Sequence, residues 1–82
     1  MTRSKLKEKL DRFKIPDSDY SLSGSCTFDC LGIEKNGEIW EVYDSKKGNK
    51  KKIGMFFCEF EANDYLFYLL MKRRYDIKKR WW

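Results

Sequence analysis

Three cysteines and several carboxylates are the side chains here with the most chemistry in them. By type, Cys30 or Cys58 is a candidate nucleophile. A nucleophilic thiolate is normally activated by a histidine or another cation beside it, and the chain has no histidine. Glu34 and Glu41 flank a candidate hairpin and can face each other as a carboxylate pair. A two-carboxylate hydrolase holds such a pair in a deep pocket, and 82 residues leave little room for one. Structural zinc takes four Cys or His ligands; with three Cys and no His, no metal site is expected. The odd cysteine count argues against a disulfide framework, so Cys26, Cys30 and Cys58 are read as small core residues. The five glycines are scattered, so none of them builds a phosphate-cradling loop. Binding is therefore expected rather than catalysis, with no cofactor.

Periodicity shows which elements must position these groups. Leu6, Leu10 and Phe13 recur at i, i+4, i+7 and predict a short helix, with Thr2 and Ser4 as candidate N-caps. Pro16 is its stop, because the residue before a proline is pushed out of the α region. A polar stretch over 17–24 has turn chemistry at both ends, with a short strand predicted near 20–22. Strands are predicted over 26–35 and 38–44, joined at Asn36-Gly37 by a two-residue type I′ hairpin. A second turn falls at Lys47-Gly48-Asn49, and Lys50-Lys51-Lys52 lead into a strand over 53–58. The main helix is predicted over 59–79, with Ala62, Tyr65, Leu66, Leu69 and Arg73 on one stripe. Its acidic start and basic end both suit the helix dipole. Phe67, Tyr68 and Met71 fall partly off that stripe, and Trp81 and Trp82 are expected to fold back onto the core.

The expected fold is α+β and a single domain over 1–82: helix, three- or four-stranded antiparallel meander, helix. Both helices are placed on one sheet face, and the other face is left open to solvent. A composition of 41% hydrophobic and 17% aromatic residues is that of a globular chain rather than a disordered one. The longest apolar run, 65–71, is far short of the roughly 20 residues a membrane span needs. Residues 1–14 lack the apolar segment of a signal peptide, so a cytoplasmic location is expected.

Charge is distributed in blocks. The net charge is +5, yet residues 16–45 carry seven acidic groups and one basic, while 46–54 carry five basic groups and none acidic. Strand alternation puts Trp40 and Val42 on one face and Ile39, Glu41 and Tyr43 on the other. Assigning Trp40 and Val42 to the core leaves Ile39, Glu41 and Tyr43 on the open face beside Glu34. The expected partner-binding set is Asp29, Glu34, Glu38, Glu41, Tyr43 and Asp44, an acidic surface that draws in a basic partner.

Ile15-Pro16, Tyr20-Ser21-Leu22, Gly37-Glu38-Ile39 with Trp40-Glu41-Val42-Tyr43, the Lys46-Lys47-Gly48 turn, Phe57 and the Ala62…Tyr65-Leu66 helix resemble one family. It is that of small bacterial immunity proteins of polymorphic-toxin and contact-dependent growth-inhibition systems. The resemblance runs from about Leu6 to Leu70. The basic run at Lys50 to Lys52 and the basic tail depart from the family's acidic balance. What it implies is a stoichiometric inhibitor that binds a toxin domain, often a nuclease, and blocks its active site. Two rival readings remain. The order α-β-β-β-α is also that of double-stranded-RNA-binding domains, although that family carries lysines where this chain has Glu59, Glu61 and Asp64. A homo-oligomeric adaptor using Trp81 and Trp82 is the other.

Overall fold

Thr2 opens the first helix, α1 (Arg3–Arg12), its side chain accepting the Lys5 N–H at 3.2 Å. The computed structural model describes residues 1–22 and 29–80, with side chains described up to residue 74. Leu6 and Leu10 lie fully buried on one face of α1. Phe13 is not part of that face: it caps the helix and sits half-exposed against Phe67, ring centroids 5.9 Å apart. The stop comes two residues before Pro16. Lys14 adopts φ 56°, its N–H donates to Asp11 O at 3.0 Å, and the Ile15 N–H donates to Leu10 O at 2.9 Å. That is a Schellman closure with lysine where glycine is usual, and Ile15 and Leu10 make its apolar contact within the core.

A 3₁₀ turn, Asp17–Asp19, leads to β1 (Tyr20–Ser21), then β2 (Cys30–Asn36), β3 (Ile39–Lys46), β4 (Asn49–Phe56) and α2 (Glu59–Arg80). The sheet order is β1-β2-β3-β4. β2, β3 and β4 form the expected antiparallel meander, but β1 pairs parallel to β2, through Tyr20 with Leu31 and Ser21 with Gly32. The sheet is therefore mixed. Lys50, Lys51 and Lys52 belong to β4 itself rather than leading into it.

The first hairpin turn departs from the expected type I′, and the second, for which no type was predicted, adopts it. Asn36 pairs with Ile39, so Gly37 and Glu38 are the central residues of the first, and only Gly37 has positive φ, at 66°. Glycine at the first central position is the type II′ signature, not type I′. At the β3–β4 turn Lys46 pairs with Asn49, and both central residues are left-handed, Lys47 at 53° and Gly48 at 82°. That is the type I′ pattern. A left-handed lysine costs roughly 1–2 kcal/mol, and Asp29 Oδ1 accepts the Lys47 N–H at 2.9 Å to hold it.

α2 lies against β2, β3 and β4, and α1 lies against α2. Ala62, Leu66 and Leu70 of α2 join Leu6, Leu10, Ile15, Leu31, Ile33 and Val42 in one core. Leu70 takes the buried position that the sequence stripe gave to Leu69. Tyr65 fills the space above Gly54, where an added Cβ would meet its Cε2 at 2.9 Å, and its hydroxyl donates to Ile53 O at 3.4 Å. A register shift between Val42 and Tyr43 sets this corner. The cysteine reading is corrected in part: Cys30 is buried but disulfide-bonded, Cys58 is free, and Cys26 lies outside the described residues. Trp81 and Trp82 also lie outside them.

Candidate functional site

Antiparallel register places residues directly opposite each other on one face. Glu34 therefore faces Glu41, and Gly32 faces Tyr43, on the side away from Val42, Ile33 and α2. The two carboxylates do meet across the hairpin, but they do not make an open acidic face. Lys50 Nζ lies 3.3 Å from Glu34 Oε2, and Lys52 Nζ lies 2.8 Å from Glu41 Oε2. Two lysines of β4 thus answer the two carboxylates one for one.

Two of the expected contact residues are corrected by their burial. Glu41 is only 3% exposed and Tyr43 is 0% exposed, so neither is presented to a partner on an open face. Tyr43 lies across Gly32, the one position in β2 with no side chain to block its ring. Lys50 Nζ stands 4.8 Å from the ring centroid. The Tyr43 hydroxyl and the neighbouring Ser45 Oγ are buried without a hydrogen-bond partner among the described residues. Alternation had correctly separated Tyr43 from Val42, but could not show that both faces of β3 are covered.

The remaining residues of the expected set scatter. Asp29 is exposed and serves as the anchor of the Lys47 turn. Asp44 lies on the helix side, 3.5 Å from Arg73 Nη2. Glu34 is half-buried under Lys50. Glu38 is exposed with no ion-pair partner among the described residues.

The Lys52 ammonium, donating to Glu41, holds that carboxyl below the usual carboxylate range, with the Asn36 side chain contributing second. A depressed folded-state value stabilises above the unfolded carboxylate range and is lost as pH falls through the folded one. Glu41→Gln is therefore expected to flatten the acid side of the stability profile. Urea midpoints at neutral pH and near pH 3 will differ less in the variant than in the parent. An equal difference in both would assign the acid sensitivity to other carboxylates.

A second surface is one that strand alternation did not single out. Trp40 pairs with Phe56, so the Gly37–Glu38 turn and the β4–α2 corner lie at the same end of the sheet. That corner exposes Phe57 at 87%, Phe60 at 53% and, just before it on β4, Met55 at 66%. Glu59 and Glu61 stand between and beside them, neither in an ion pair among the described residues. This acidic and aromatic pole had two signals in the sequence. Adjacent Phe56 and Phe57 cannot both face α2, and Phe60 falls off the Ala62-Leu66-Leu70 stripe.

An open cleft of about 510 Å³ lies between α1 and β1, lined by Arg3, Lys7, Tyr20 and Leu22 among others. Burial and a hydrogen bond to Asp17 push the Tyr20 phenol up to about 12. Arg3 is held by the Leu22 carbonyl at 2.7 Å. Among the described residues no helix is long and apolar enough to cross a membrane, and no cluster of three potential metal ligands occurs. Comparison with family models, with curated proteins and with solved structures finds no match.

Proposed function

We propose that this chain is an immunity protein that binds a bacterial toxin domain of nuclease type and blocks its active site without transferring any chemical group. The observation that carries the reading is the exposed pole of Met55, Phe57 and Phe60 rimmed by Glu38, Glu59 and Glu61. Large exposed apolar side chains beside unpaired charge are interface material. The Trp40-to-Tyr43 motif adds the resemblance to the immunity family. The contact surface belongs at this pole, because the lysines of β4 neutralise the carboxylates on the sheet face away from α2. The proposed place of action is the cytoplasm. Disulfides are rare in that reducing compartment, so the Cys30 disulfide is expected to be reduced there.

The test is binding of the purified chain to the C-terminal domain of a secreted toxin encoded in the adjacent gene. Phe57→Ala is expected to cost about 2 kcal/mol, roughly 30-fold in Kd, as for a central aromatic anchor. Glu38→Lys is expected to slow association and weaken its dependence on salt. A toxin that binds both variants as tightly as the parent would move the interface elsewhere. A toxin domain that does not bind the parent at all would overturn the reading.

A further inference from the structure

The opposite end of the molecule has the opposite character. β3 ends at Lys46 and β4 begins at Asn49, so the Lys47-Gly48 turn lies at the far end of the sheet from Glu38 and Phe57. Asp44, near the end of β3, meets Arg73 at 3.5 Å and brings the later turns of α2 to this end. Arg74 Nη1 donates to Lys14 O at 3.0 Å and brings the end of α1 there as well. Three elements thus converge on Lys14, Lys46, Lys47, Lys51 and Lys72, all exposed. None of the five is in an ion pair among the described residues. Of the carboxylates beside them, Asp44 is paired with Arg73, while Asp29, which accepts the Lys47 N–H, and Asp11, one turn before Lys14, keep their charge, leaving lysines in excess.

We propose that this basic pole binds the phosphate backbone of a nucleic-acid duplex. Lysines are compact point charges that suit phosphate and read no base sequence, so the binding is independent of sequence. A lipid surface fits less well. A protein lying on a membrane inserts apolar side chains beside its lysines, whereas Met55, Phe57 and Phe60 stand at the other end and the exposed ring one turn before Lys72, Tyr68, carries a polar hydroxyl. Phe13, the partly exposed aromatic next to Lys14, is packed against Phe67. The inference uses none of the residues of the inhibitor reading and stands or falls without it.

The experiment is fluorescence anisotropy of the full chain with a labelled duplex of about 20 base pairs, from about 50 to 200 mM salt. Each phosphate neutralised contributes about −0.9 to the slope of log K against log salt. A triple variant, Lys46→Gln, Lys51→Gln and Lys72→Gln, is expected to bind at least ~10-fold more weakly at low salt, with a slope shallower by about 2 to 3. Phe57→Ala, at the other pole, is expected to bind like the parent, and matching circular dichroism spectra confirm that the variants fold. Unchanged affinity in the triple variant would overturn the proposal. So would no binding of the parent at low salt, or binding to phosphatidylglycerol vesicles in place of the duplex.

Discussion

Gly32→Ala is expected to lower stability by about 1–3 kcal/mol, the range for an extra methyl forced into a packed site. A Cβ at Gly32 would run into Tyr43 Cζ and Oη and stand 2.7 Å from Cε2. Ring atoms at that separation must move, and the neighbouring structure decides whether they can. Tyr43 is fully buried, so its ring has no solvent to swing into. Marginal stability of roughly 0.05–0.15 kcal/mol per residue makes such a loss a large share of the total. The thermal midpoint should fall by about 4–8 °C for each kcal/mol lost in a domain of this size. Urea denaturation checks the value, and the double variant Gly32→Ala with Tyr43→Val isolates the cause. If the ring is the obstacle, Gly32→Ala will cost much less in the Tyr43→Val background than alone. Equal costs in both backgrounds would mean that the methyl is rejected by something other than Tyr43.

Leu66→Ala is expected to be the most damaging single truncation, at about 2–5 kcal/mol. Leu66 is fully buried in the middle of α2 and belongs to the core shared by α1, β2 and β3. Its removal takes transfer energy and leaves a cavity that a 22-residue helix cannot easily close, being held on both sides of the gap. Phe60→Ala, on the same helix but exposed, is expected to change stability by less than about 0.5 kcal/mol. The two urea midpoints, at an unchanged denaturant slope, make the comparison. A loss below about 1 kcal/mol for Leu66→Ala would contradict the packing of α2 on the sheet.

What was legible in the sequence was the order of elements and the main core. Period-3.6 and period-2 patterns name Leu6, Leu10, Val42, Ala62 and Leu66 as inward-facing, and all five are buried. Three features were not legible, each for a physical reason. The Schellman closure at Lys14 and the type I′ turn at Lys47 put lysine where glycine or asparagine usually signals a left-handed residue. Their partners, Leu10 O with Asp11 O and Asp29 Oδ1, are set by tertiary placement. The second side of β3 was read as open because Glu41 alternates with Val42. Alternation reports direction, whereas coverage depends on what else arrives, here Lys52 on Glu41 and Lys50 over Tyr43. The acidic blocks of the sequence misled in the same way. A run of carboxylates along the chain says nothing about the lysines that a neighbouring strand brings beside them.

β4 stands at the end of the sheet order, so one of its sides has no strand beside it among the described residues. A free strand side of eight residues is a template on which a second chain can add, and from there aggregates grow. Lys50, Lys51 and Lys52 occupy consecutive positions on it. Two copies approaching side by side would bring these charges together before any backbone bond formed. The lysines that neutralise Glu34 and Glu41 thereby also act as gatekeepers, keeping a small domain with a thin core from polymerising through its own border.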